Sequence, residues 1–84
     1  MEEDTIEVSR IYRIDGESKL KAFADVSFGS VVVKGLRIVE GKKGLFVGMP
    51  RQQGKDGKWY NSVWPTTKEI QQRISETVLA AYQR

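Results

Sequence analysis

Between Leu20 and Phe28 every second side chain is apolar. Leu20, Ala22, Ala24, Val26 and Phe28 point one way, and Lys19, Lys21, Asp25 and Ser27 point the other. A period of two is that of a strand with one face on a core and the other in water. Upstream, residues 5–14 also alternate, with Ile6, Val8, Tyr12 and Ile14 on one face and Arg10 interrupting it. Asp15-Gly16, extended by Glu17-Ser18, is a strong turn signal, so the two segments are predicted to pair as a hairpin. Gly29-Ser30 then turns the chain into a third strand from Val31, with Gly35 predicted as a bulge or bend. Leu36 and Ile38 continue the apolar face, and Arg37 points outward.

Glu40-Gly41-Lys42-Lys43-Gly44 connects to Leu45–Met49, a short apolar strand whose composition predicts burial on both faces. Pro50 ends it, because proline has no N–H for the next rung. Residues 51–58 carry two glycines, three cations and two glutamines, which predicts a mobile loop or a ragged hairpin tip. Lys58 to Trp64 can return as a strand, and Pro65 stops it. The remainder reads as a helix. Thr66 with Glu69 has capping-box spacing, and Ile70, Ile74, Thr77, Val78 and Ala81 share one face. Leu79 falls on the opposite side, where an apolar residue points to a second buried contact. The predicted architecture is α+β: a curved antiparallel sheet of four to five strands with one C-terminal α-helix packed on it. We read residues 1–84 as one domain, with an acidic N-terminal tail at 1–4, strands over 5–64 and the helix over 66–83.

Eighty-four residues lie near the lower limit for a self-sufficient core. The chain has no cysteine and no histidine. Disulfides, thiolate metal sites and the commonest general base are therefore excluded together, and oligomerisation is the remaining way to bury more surface. No apolar run approaches the roughly 20 residues that span a bilayer, and Met1-Glu2-Glu3-Asp4 is not a signal-peptide pattern. A cytoplasmic protein without membrane contact is expected.

The net charge of +3 is unevenly spread. Residues 8–84 carry 14 basic and 7 acidic side chains, since Glu2, Glu3, Asp4 and Glu7 precede them. From Lys34 to Lys58 there are seven basic residues (Lys34, Arg37, Lys42, Lys43, Arg51, Lys55, Lys58) against Glu40 and Asp56. A centre this cationic attracts polyanions, nucleic acid first and anionic membrane second; the alternative is a solvated surface that keeps a small protein soluble.

No acid falls in a spacing that resembles a metal site or a carboxylate dyad, so no catalytic residue, metal or cofactor is expected and the chain is not read as an enzyme. Asp15 and Asp56 each precede a glycine, where aspartate serves a turn. Gly41-Lys42-Lys43-Gly44 lacks the spacing of a phosphate loop and leads into a strand rather than a helix; it is a lysine-rich hairpin turn. The basic loop is the better candidate. Arg51, Lys55 and Lys58, helped by Lys42 and Lys43, can hold phosphates, while Gln52 and Gln53 can read base edges. Trp59 and Tyr60 can stack on bases where exposed, with at most one of them buried against the helix. Lys68 and Arg73 on the helix are secondary candidates, because Glu69 and Glu76 are interleaved with them.

Ile6-Glu7-Val8, the Leu20–Phe28 strand, Leu36-Arg37-Ile38-Val39-Glu40-Gly41 and Gly44-Leu45-Phe46-Val47-Gly48-Met49-Pro50 together resemble the stage V sporulation protein G (SpoVG) family. Asp56-Gly57-Lys58, Trp64-Pro65 and a helix ending in Ala81-Tyr82 fit as well. The resemblance runs from about Thr5 to Tyr82. It implies a small bacterial cytoplasmic homodimer, associated with septation and sporulation control, which binds DNA, and RNA in some members, to regulate gene expression. It implies no catalysis and no cofactor. The chain departs from the family at Arg51-Gln52-Gln53-Gly54, where relatives carry a serine and then basic residues. It has Trp64-Pro65 in place of His-Pro, and it ends soon after the helix, without the longer polar tail of many relatives. The leading expectation is thus a dimeric nucleic-acid-binding regulator. The alternative is a protein-interaction module acting on division or transcription machinery.

Overall fold

The computed structural model describes residues 5–84, so the acidic segment 1–4 lies outside the described residues. Strands β1 (Ile6–Arg13), β2 (Leu20–Phe28), β3 (Val31–Gly41) and β4 (Gly44–Gly48) form one antiparallel sheet in sequence order. Short connections make each strand pair with its successor. Two three-residue strands, β5 (Arg51–Gln53) and β6 (Trp59–Asn61), pair as a separate hairpin, and helix α1 (Lys68–Tyr82) follows. The core lies between one sheet face and the helix. Ala22, Ala24 and Val26 of β2, Leu36 and Ile38 of β3, Val47 of β4 and Met49 meet Ile74 and Val78 of α1. This is the α+β arrangement that the periodicity predicts.

Register shifts re-phase the strands. Val8 pairs with Val26 but Arg10 with Asp25, so Ser9 is an extra residue on β1. Beyond that bulge the alternation flips. Ile11 packs against the core in place of the predicted Tyr12, which is 46% exposed. Gly35, at φ +91°, lies in a second shift between β2 and β3, as its sequence position predicts. A third shift, at Lys21, pairs Leu20 with Val39 and leaves Leu20 out of the predicted core row. Asp25, predicted to face water, is buried opposite Arg10. In β4 the expected burial on both faces gives way to burial on one. Val47 sits in the core and Leu45 packs against it, while Phe46 is 50% exposed because the helix covers only the other side.

The helix begins one residue later than the capping-box reading. Thr67, in an extended conformation, is the N-cap, and its Oγ1 accepts from the Ile70 N–H at 3.2 Å. Val63, partly buried against the core, and the half-buried Pro65 precede that point. Leu79, predicted to face away, packs partly against the same core. The last turn has no basic residue of its own. Arg13 of β1 takes that role, donating to the Tyr82 carbonyl at 2.8 Å with its guanidinium 4.7 Å from the Tyr82 ring centroid.

The segment predicted as a mobile loop or a ragged hairpin tip is a hairpin, closed rather than ragged. Gly54 N–H donates to the Lys58 carbonyl at 2.9 Å, Gly57 N–H to the Gly54 carbonyl at 3.1 Å, and Gln53 Nε2 to the Gly57 carbonyl at 3.0 Å. Gly57 supplies the positive φ of +83° that the turn requires. Asp56 gathers the tip: Tyr60 Oη donates to its Oδ2 at 2.5 Å, and Lys58 N–H to its Oδ1 at 3.0 Å. At the base, Ser62 N–H donates to the Pro50 carbonyl at 2.9 Å.

Two outcomes test this description. Thr67→Ala is expected to lower unfolding free energy in a urea titration by about 1 kcal/mol, whereas Thr66→Ala stays within about 0.5 kcal/mol of wild type. The Tyr60 hydrogen bond, then the Lys58 N–H, hold the Asp56 carboxyl below its usual range, and the same Tyr60 bond raises the Tyr60 phenol. A depressed acid contributes above its unfolded pKa and loses that contribution as pH falls through the folded one; a raised phenol contributes below its unfolded pKa and loses it as pH climbs through the folded one. Tyr60 and Trp59 NMR signals are therefore expected to hold steady across neutral pH and to move below about pH 4 and above about pH 10. Asp56→Asn abolishes the acid limb.

Candidate nucleic-acid interface

Cross-strand pairing sets Phe23 of β2 beside Arg37 of β3, and Arg37 beside Gly48 of β4. All three lie on the sheet face turned away from α1, because the neighbouring pairs Ala24–Leu36 and Ile38–Val47 fill the core. Gly48 is small for a reason: a Cβ there would collide with the Arg37 guanidinium. The Arg37 side chain thus lies flat over β4 and donates from Nη2 to the Met49 carbonyl at 3.4 Å. Its Nε is buried and makes no hydrogen bond.

After Met49-Pro50 the β5–β6 hairpin rises beside this face. Pairing places Arg51 opposite Asn61 and Gln53 opposite Trp59, so Arg51 and Trp59 share one side of the hairpin. Between hairpin and sheet is a concave site of about 530 Å³, lined by Phe23, Lys34, Arg37, Pro50, Arg51 and Trp59, with Gly35, Gln52 and Ser62 completing it. Three of these residues are cations and none is a carboxylate. Burial, and then the positive charge of Arg51, both work against the charge on Arg37. A guanidinium remains charged at neutral pH regardless. The site therefore holds two like charges together with no internal counterion, and an anion would relieve both.

Of the residues singled out from the sequence, Arg51 and Gln52 line this site, while Lys55 and Lys58 are exposed toward the hairpin tip. Gln53 also belongs to the hairpin, with its amide committed to Gly57. Lys42 and Lys43 are exposed at the β3–β4 turn, at the far end of β4, roughly 25 Å of extended chain from Arg51. Lys68 and Arg73 are exposed on α1, the layer on the opposite side of the sheet. The residues that sequence reasoning did not assign to a site are Phe23, Lys34 and Arg37. Lys34 and Arg37 stood among the central cations, but their approach to Arg51 depends on the β3–β4 register. Trp59 and Tyr60 are both exposed, at 60% and 51%, and neither is buried against the helix.

Among the described residues no helix is long and apolar enough to cross a membrane, and no group of three or more carboxylate side chains could hold a metal ion.

Comparison with known proteins places the chain in a family. A chain from Archaeoglobus fulgidus named Putative septation protein SpoVG is 47% identical over 75 residues, covering 88% of each chain. A relative of the same name from Symbiobacterium thermophilum is 49% identical over 74 residues, covering 87% of this chain and 53% of the relative. A second SpoVG from Listeria monocytogenes is 33% identical over 76 residues, covering 89% of this chain and 74% of the relative. The sequence model of the SpoVG family matches residues 4–84, which takes in the sheet, the hairpin and the helix alike. With the match running through every element of the fold, the chain belongs to the SpoVG family.

Proposed function

We propose that this protein is a dimeric nucleic-acid-binding regulator that acts in the cytoplasm within the septation and sporulation setting from which the family takes its names. The observation that carries the reading is the juxtaposition of Arg37 and Arg51 with no carboxylate among the residues around them. Arg51, Lys55 and Lys58 supply further phosphate contacts along the hairpin, and Gln52, beside the arginines, is the better placed of the two glutamines to reach a base. Lys42 and Lys43 extend the cationic track, and Lys68 and Arg73 form a second, separate surface. No catalytic step is part of the proposal. For the dimer, the sheet edges β1 and β4 are open to pairing.

A second reading also has an observation behind it. Trp64 is 69% exposed beside Val31 and Val33, Val63 and Ile70, which form an apolar groove. A protein acting on division or transcription machinery could seat a partner there. Pull-down with and without nuclease separates the two, since partners bridged by nucleic acid are lost on digestion.

The primary test is a binding titration against salt. Log K is expected to fall linearly with log salt, and Arg51→Ala with Lys55→Ala is expected to weaken binding and flatten that slope by roughly 1.4 to 1.8. Binding that ignores salt, or a double variant that binds as wild type does, would sink the proposal.

A further inference from the structure

The sheet face away from α1 carries side chains that the core does not account for. Tyr12 pairs with Phe23, Phe23 with Arg37, and Val39 with Phe46. Arg10 donates from Nη1 to the Tyr12 hydroxyl at 3.2 Å, with its guanidinium 5.6 Å from the Tyr12 ring centroid. Tyr12 and Phe46 are about half exposed, and Trp59 stands over the rim of the concave site. Aromatic rings and guanidinium groups therefore share one sheet face, where the buried Asp25 is the cross-strand partner of Arg10, and the row from Tyr12 through Phe23 and Arg37 leads to the Arg51 site.

We propose that this face binds single-stranded nucleic acid, with one unpaired base held in the concave site beside Trp59 and Phe23 and its phosphate on Arg37 and Arg51. The inference rests on the nucleic-acid reading above and narrows it to one class of ligand. A duplex presents base edges in its grooves and keeps base faces in the stack. A recess with aromatic walls is entered by an unstacked base, and exposed rings on a sheet serve as platforms for the bases beside it. The volume of about 530 Å³ lies within the range of sites that enclose small ligands. A second copy docked through this same face is a poor occupant, because it would bring Arg37 and Arg51 against their own like charges. Single-stranded DNA and RNA share the chemistry invoked, a π face and a phosphodiester. Tyr12 and Phe46 extend the platform for neighbouring bases, and Lys34 adds a cation to the wall.

The test uses the full chain with labelled oligo-dT and oligo-U of about 12 nucleotides, within the site sizes common for single-strand binders, and a mixed-sequence duplex of equal length. Fluorescence anisotropy at one fixed salt gives the three affinities. At least one single strand is expected to bind tenfold or more tighter than the duplex, and comparison of dT with U assigns the sugar. Trp59→Ala is expected to weaken single-strand binding about 5- to 100-fold, in line with the loss of one base stack, while Trp59→Phe retains most of it. Arg37→Met is expected to flatten the single-strand salt slope by about 0.7. Circular dichroism checks that each variant folds, and the exposed Trp59 gives a readout independent of any packing change at Arg37. Duplex binding as tight as single-strand binding overturns this inference and leaves the broader reading standing. So does a Trp59→Ala variant that binds single strands as wild type does. Absence of salt-dependent binding to all three probes overturns both, and a poly-glutamate peptide that competes as well as the oligonucleotides assigns the face to an acidic protein instead.

Discussion

A single helix can cover only one face of a four-stranded sheet. The fifteen residues of α1 span about 22 Å, enough to cross the sheet once, and the chain has no second helix among its described residues. The covered face holds the alanines, valines and larger aliphatic residues of the core. The uncovered face must then live with whatever the alternation places there, and here it places Tyr12, Phe23, Arg37 and Phe46. The candidate interface is a direct result of that asymmetry. A second covering layer would have turned the same positions into core.

The electrostatics follow from the same geometry. Arg37 lies against Gly48 because β4 offers no side chain at that point, and the turn at Met49-Pro50 brings Arg51 to it. In a merely soluble surface, two guanidinium groups this close would be separated or matched with an acid. Acids of the sheet and hairpin are engaged elsewhere: Asp25 is buried opposite Arg10, Asp56 closes the hairpin tip through Tyr60 and Lys58, and Glu40 lies 3.5 Å from Lys21. Burial and then the charge of Arg51 both disfavour the charge on Arg37, and a bound anion would offset both.

Much of the fold is legible in the sequence, and the unreadable parts have physical reasons. The strict alternation of β2 gives its core face correctly over Ala22, Ala24 and Val26, and Gly35 announces its bend. Ser9 gives no such notice. A bulge is set by how two strands meet, and a serine in the middle of an alternating run looks like any outward residue, so alternation alone puts Tyr12 on the face that Ile11 occupies. Phe46 misleads for a related reason, since a run of apolar residues has no period to say that one face is open. Thr66 and Thr67 are both good caps, and only the three-dimensional path of the chain decides that Thr67 Oγ1 meets the Ile70 N–H. The cations of the site were visible as composition. Their convergence was not, because Lys34, Arg37 and Arg51 meet only through pairing between strands, and Lys42 and Lys43, close to them in sequence, end up at the other end of β4. The hairpin also shows that glycines and charges do not by themselves make a loop loose, since Asp56, Gln53 and Gly57 lock it from within.

The bond from Arg13 to the last helical carbonyl joins the first strand to the last element of the chain. It has a consequence for the order in which the protein can be made. Every β-strand pairs with its neighbour in sequence and can do so as it is synthesised, but the apolar side of the resulting sheet has no cover until α1 follows. Completion of the core thus requires α1, whose Ile74 and Val78 meet the sheet, and a contact spanning 69 residues in sequence ties the two ends of the fold together. During that interval the sheet is an amphipathic surface without its lid, and any premature stop before Lys68 leaves it so. The fifteen-residue helix is therefore what covers the apolar face of the sheet.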